Sequence, residues 1–368
     1  MGSAQKTAVF LVFITIGILM KWKMPSAAEQ AGIKKIVLNL ALPATIFIAL
    51  IGVEVRPSFL LLPFLALALN GFLFAGFGVL LPWLGVSTDS PQARTTKMMV
   101  SSFAPGLSCF PFLLEYRGEG ALAQAAMADL GNKVFVLIAL YLVAMNWHYR
   151  THASGSLATG DKMRSFAKTF FTEPVNLLII VALFLMSTGY SMASLPNVVA
   201  EPLRRLSGMM TPLVLLFIGL AVQLRGGQLW LLSSILLFRA ALVTWLCVLV
   251  TAAGGLVSPG SLLVGLAFGL SACSFWPFMH ISTVDKEEQA VPAHERTFDA
   301  SFAINMLALS FPLSTALILI LLSVGEPVVR FGSLLGWATG LTLAAGAAFL
   351  MTTRRAPSDA PVSCDASS

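Results

Sequence analysis

The sequence predicts an all-α, polytopic membrane protein: an inverted repeat of five plus five transmembrane helices with crossed broken helices, and an eleventh helix after it. Three observations lead there. Of 368 residues, 57% are hydrophobic and 11% charged, against roughly a quarter charged in ordinary soluble domains. The apolar residues gather into stretches near the length of about 20 residues that a helix needs to cross a bilayer. Finally, short motifs of the first half recur in the second at a nearly constant offset.

The spanning segments are predicted at 7–22, 34–53, 58–84, 95–115 and 120–147, then at 174–193, 204–224, 229–256, 260–283 and 293–324, with an eleventh at 331–352. The chain divides into a first five-helix repeat (1–147), a cytoplasmic linker (148–172), a second, inverted repeat (173–324), an extra helix (325–352) and a disordered cytoplasmic tail (353–368). The first apolar run is short, like a signal-peptide core. It is followed directly by Lys21 and Lys23 and has no small-x-small cleavage site, so an uncleaved first helix is expected.

The formal net charge of +6 does not indicate nucleic-acid binding, because the basic residues fall between apolar segments rather than in one patch. They orient the helices instead. With eleven segments, one side receives Lys21, Lys23, Lys34, Lys35, Arg94, Lys97, Arg150, Lys162, Arg164, Lys168, Arg225, Lys286, Arg296, Arg354 and Arg355. The other receives Lys6, Arg56, Arg117, Arg204, Arg205 and Arg330. The first side is then cytoplasmic in a bacterial inner membrane, with the N-terminus outside and the C-terminus inside. Cys109, Cys247 and Cys273 lie in apolar segments and Cys364 in the tail, with no metal-site or disulfide spacing. No cofactor or metal is expected.

The repeat rests on four pairs. Leu42-Pro43 corresponds to Thr211-Pro212, Ser108-Cys-Phe-Pro111-Phe112 to Ser274-Phe-Trp-Pro277-Phe278, Asp129 to Asp299, and Asn70 to Arg239, at offsets of 166 to 170 residues. Five helices per half is an odd number, so the second copy enters from the opposite face, as in many secondary transporters. Such proteins bind substrate near the midplane, where discontinuous helices end. The fourth segment carries Pro105, Gly106, Ser108 and Pro111, and the ninth carries Ser271, Ser274 and Pro277. Proline removes backbone donors and glycine relaxes the chain, and hydroxyls beside freed amides suit a carboxylate. A simple proline kink is the plainer account of either segment alone.

Asp129, Asn132 and Lys133 sit well inside the fifth segment. Ionisable residues at that depth are costly and mark functional sites. At i and i+4 the acid and the amine share a helix face. The carboxylate, with Asp299 as its weaker echo and Asn305 echoing Asn132, is a candidate for a coupling proton or sodium. Asn132 and Lys133 are candidates for the substrate. An internal ion pair that stiffens the bundle explains Asp129 and Lys133 equally well. Arg239 is expected to snorkel to the membrane surface, and His280 to face the surface.

The sequence resembles the auxin efflux carrier family, within the bile/arsenite/riboflavin-type transporter superfamily. The resemblance runs over about residues 7–324 and is carried by Ile16-Gly17, Leu38-Asn39-Leu-Ala-Leu-Pro43, Glu173-Pro174 and Thr211-Pro212-Leu-Val-Leu-Leu-Phe-Ile-Gly219-Leu. It implies a crossover of proline-broken helices four and nine at an anion site, here at Pro105 to Pro111 and at Pro277. It also implies elevator-type alternating access, carboxylate substrates and homodimers. Two departures stand out: Ala104-Pro105-Gly106 lies where family members often carry asparagine, and the eleventh helix exceeds the usual ten.

The expected function is therefore secondary active transport of a small organic anion, coupled to a proton or sodium, in contact with membrane lipid. The alternative is a sodium-coupled symporter of the bile-acid type, which needs dense polar ligation around the crossing helices. An enzyme is not expected: no paired His and Glu metal spacing, Gly-x-Ser-x-Gly elbow or phosphate-binding loop is present.

Overall fold

The computed structural model describes residues 3–24, 26–52, 57–152, 174–188, 190–221, 229–254, 257–293 and 295–355. Residues 153–172 of the predicted linker, most of the predicted tail, Arg56, Arg225, Glu173 and Cys364 lie outside them. All regular elements among the described residues are helical. Each of the eleven predicted segments contains helix, and among the described residues seven helices are long and apolar enough to cross a membrane.

Helix α1 is Ser3–Met20. Helix α2 starts at Ala27–Ile36 on a capping box between Ser26 and Glu29, passes through a π-helical turn at Val37–Ala41 and ends in Leu42–Ile51. Pro43 causes that turn: it has no N–H to return to residue 39, and the Leu42 amide reaches back to the Val37 carbonyl instead. Helix α3 is Leu62–Trp83. The fourth segment forms α4 (Pro91–Val100), a non-helical break, a short turn at Pro105–Ser108, and α5 (Phe110–Arg117). Helix α6 runs from Glu119–Val134 through a second π-helical turn, Phe135–Ala139, into Leu140–His152. It thus carries helix beyond the predicted boundary at 147.

In the second half, α7 is Pro174–Ser187, and α8 comprises Asn197–Gly208 and Met210–Ala221. Helix α9 is Leu229–Ala252. The ninth segment forms α10 (Pro259–Gly269), a break, and α11 (Phe275–Glu287). Ser90 caps α4 ahead of Pro91, and Ser258 caps α10 ahead of Pro259. Proline at the first helical position loses only an amide that has no helical partner there. Helix α12 is Ala300–Val324 and α13 is Phe331–Arg355.

The burial pattern departs from that of a soluble protein at both its surface and its interior. Large apolar side chains face outward, with Val79 70%, Phe64 68% and Leu343 75% exposed, while Asn70, Asn132, Lys133 and Arg239 are buried. A soluble monomer does not expose apolar surface on this scale; a lipid-embedded one must. The helices are consistent with a polytopic membrane protein.

Two groups of helices pack mainly among themselves. In one, α1 packs on the second half of α8, and α7 and α8 pack on α2. Gly17 and Gly219 let α1 and α8 approach backbone to backbone, since a Cβ at either would overlap the carbonyl oxygen of Leu216 or Ile14. In the other, α3 packs on α4 and α6, α11 on α12, and α9 on α10 and α13. The eleventh helix is thus seated along α9, with the Ser234 hydroxyl donating to the Ala345 carbonyl (2.9 Å) and the Trp245 indole to Thr342 (3.1 Å).

Candidate functional site

The breaks in the fourth and ninth segments lie against each other. In a bilayer every freed backbone group must find a partner within the protein, and here the amides do. The Ala104 amide donates to the Ala272 carbonyl (2.8 Å), the Ala272 amide to Ser108 Oγ (2.9 Å) and the Ser274 amide to Ser102 Oγ (3.1 Å). The remaining partners come from neighbouring helices. Asn132 of α6 pairs with Phe103 twice, accepting from its amide (3.1 Å) and donating to its carbonyl (2.9 Å). Ser310 of α12 accepts from the Cys273 amide (3.1 Å). Asn70 of α3 donates to the Ser101 carbonyl (2.6 Å) and to Asn132 Oδ1 (3.0 Å).

The breaks sit further toward the N-terminus than the prolines indicate. They occupy residues 101–104 and 270–274, and Pro105, Pro111 and Pro277 lie in the first turns of the helical pieces that follow. The reason is that proline disfavours the preceding residue in helix but suits the first turn. It marks where helix resumes. The amides expected to meet a carboxylate are also already engaged within the protein.

A cavity of about 350 Å³ opens beside the first break, within the range of roughly 300–1,000 Å³ for small-molecule sites. Its walls come from α2 (Lys34, Leu38, Asn39, Leu42), the stretch Phe103 to Leu107, α6 (Asp129, Asn132, Lys133, Val136), the start of α11 (Ser274, Phe275, Trp276) and α12 (Leu307, Phe311). The surfaces of α2 belong to one helix group and the rest to the other. Gly106 is pressed against α2, where an added Cβ would come within 2.7 Å of Leu42 Cδ2.

Of the residues predicted to form a site, Pro105, Gly106, Ser274, Asn132, Lys133 and Asp129 line this cavity. Lys133 Nζ and Asp129 Oδ2 are 3.9 Å apart, and Asn132 donates to Asp129 Oδ1 (2.8 Å). Ser108 and Ser271 are instead structural ties: the Ser108 hydroxyl spans the two breaks, and the Ser271 hydroxyl donates to the Phe268 carbonyl. Pro111 and Pro277 are buried away from the cavity walls. Asp299 caps α12 by accepting from the Phe302 amide (2.8 Å) and lines a second, separate cavity with Asp285 and Arg296. It is not brought to Asp129, and the role that Asn132 plays for Phe103 falls in the second half to Ser310, not Asn305.

Two residues expected at the surface face inward. Arg239 is 3% exposed and bonds three backbone carbonyls. Its position near the middle of α9 puts it beyond the reach of a surface-seeking side chain. The His280 ring is half-buried, with Nε2 3.0 Å from the Val136 carbonyl and the ring edge-on to Tyr141. The π-helical turn at Phe135–Ala139 alters the hydrogen bonding of this stretch, and Val136 lies in it.

Sequence reasoning missed Lys34, Asn39, Phe275 and Trp276 as cavity residues. Lys34 reaches over the Phe275 ring, 3.6 Å from its centroid. Asn39 lies in the first π-helical turn, a feature often found at functional sites; the Asn39-x-x-x-Pro43 spacing was the available signal.

No protein-family model matches the chain, and no curated protein matches it significantly.

Proposed function

We propose that this protein is a secondary active transporter for a small organic anion, of the auxin efflux carrier type, working by alternating access around the cavity between α2, α6 and the two helix breaks. The observation that carries this reading is the placement of that cavity. It lies where two discontinuous helices meet, between two helix groups, and is walled by Lys34 and Lys133 against one carboxylate, Asp129. The N-terminal end of α11 also lies on its wall, and the dipole of that helix favours an anion there although its Ser274 and Trp276 amides are engaged within the protein. The apolar remainder, including Leu38, Leu42, Trp276 and Phe311, suits the hydrocarbon part of an organic acid.

In this reading the two helix groups move against each other and expose the cavity to each side in turn. Asp129 carries the coupling ion, and Lys133 neutralises it or the substrate. The equivalent bonds from Asn70 to the Ser101 carbonyl and from Arg239 to the Ser271 carbonyl support an inverted five-helix repeat. The distribution of Lys and Arg supports an inner-membrane orientation with the N-terminus outside, and the family resemblance implies a homodimer.

Uptake of labelled monocarboxylates and dicarboxylates into proteoliposomes tests the proposal. Saturable uptake that falls at least tenfold in Lys133→Ala is expected. Transport confined to cations or neutral solutes would overturn it. Asp129→Asn should abolish gradient-driven uptake while leaving substrate binding measurable; unaltered proton or sodium dependence would reduce Asp129 to a structural residue.

A further inference from the structure

We infer that Arg239 is a tethered counter-cation: its guanidinium occupies a cation site built from backbone carbonyls of both helix breaks, and joins the two breaks without any dissolved ion. The inference concerns the breaks of the proposed transport site, but it stands on geometry that needs no substrate.

Three oxygens converge on this one side chain. Nε donates to the Val100 carbonyl (2.8 Å), Nη2 to the Ser102 carbonyl (2.9 Å) and Nη1 to the Ser271 carbonyl (2.7 Å). Val100 ends α4, Ser102 lies in the first break, and Ser271 lies just past the end of α10. Two helix C-termini therefore turn their negative dipole ends toward the same buried point. Unwound carbonyls and half-helix C-termini form the usual cradle for a dissolved cation in transporters with broken helices.

In this protein the charge is attached to α9. None of the ion pairs among the described residues includes Arg239. Its neutralising environment is the carbonyl cradle itself, with the Phe103 ring 4.8 Å from the guanidinium carbon. A buried charge without a carboxylate is tolerated only when well-placed dipoles replace its hydration. The planar fork of arginine suits carbonyls spread over two helix breaks; the point charge of lysine suits them less well. Removing the side chain leaves three acceptors converging on an empty, buried, electronegative space. A monovalent cation of matching shape should refill it.

The test is thermal unfolding of detergent-purified wild type and Arg239→Ala in choline chloride, with guanidinium, sodium or potassium chloride added at low-millimolar concentration. Urea, which has nearly the shape of guanidinium but no charge, is the control. The expected result is a melting temperature several degrees lower in Arg239→Ala, most of it regained with guanidinium in a saturable way, and a wild type that responds to none of the additions. Equal responses to guanidinium, urea and choline would overturn the inference, as would a cation response of the same size in the wild type. If Arg239→Ala does not fold, Arg239→Lys and Arg239→Gln decide. Retention of stability by lysine but not by glutamine supports a charge requirement, and equal loss in both defeats it. These readouts involve no transport, so failure of the organic-anion reading would leave them unchanged.

Discussion

The two helix breaks solve one problem with different chemistry. At the first, Asn132 acts on Phe103 as a second strand would, accepting from the amide and donating to the carbonyl, while Asn70 holds the neighbouring Ser101 carbonyl. At the second, a hydroxyl from Ser310 takes the Cys273 amide and the Arg239 guanidinium takes the Ser271 carbonyl. The first break thus has a neutral carboxamide on the wall of the cavity, Asn132, beside Asp129 and Lys133, with a second, Asn70, behind it. The second relies on a hydroxyl and on the fixed charge of Arg239, which also takes the Val100 and Ser102 carbonyls on the side of the first. The carboxamide of Asn132 adds no charge to the cavity wall, where Asp129, Lys133 and Lys34 stand. The permanent cation of Arg239 sits between the two breaks and ties one to the other.

The comparison can be broken most sharply at Asn132. Asn132→Ala removes both partners of Phe103 and the contacts to Asn70 and Asp129. Each buried group left unsatisfied costs about 1–3 kcal/mol, so a loss of about 4 kcal/mol is expected, visible as a large drop in melting temperature in detergent. A variant as stable as the wild type would mean that the carboxamide clamp contributes little. Ser310→Ala orphans only the Cys273 amide and should cost about 1–2 kcal/mol in the same assay. If it costs as much as Asn132→Ala, the two breaks are held alike and the contrast fails.

The smallest effect belongs to the two aspartates that the sequence pairs. Asp299→Ala removes a helix cap, worth about 1 kcal/mol, and should leave the ion dependence of uptake unchanged, unlike Asp129→Asn. Loss of coupling in Asp299→Ala would restore the equivalence of the two carboxylates.

Part of this site was legible in the residues themselves. Asp129 and Lys133 at i and i+4 share a helix face by helical geometry alone, and their side chains do meet. The breaks were legible as Pro-, Gly- and Ser-rich stretches, though displaced: Pro105 and Pro277 follow the breaks, because proline starts helix more readily than it interrupts it. Lys34 read as one more orienting charge and Trp276 as part of a repeated motif. Their common cavity depends on how α2 meets α11, which no local spacing encodes.

Hydrophobic composition and segment length determined by themselves that the chain is helical and suited to a membrane, because lipid leaves the backbone few other ways to satisfy its hydrogen bonds. The i, i+4 pairing on α6 belongs to the same class of local consequence. Only the tertiary structure decided which polar residues are ties and which face the cavity. Ser108 and Ser274 occupy matching positions in a repeated motif, yet one spans the breaks and the other lines the cavity. Only the tertiary structure, too, turned Arg239 inward, since the carbonyls that stabilise its charge come from two other helices and exist only once both are broken at the same place.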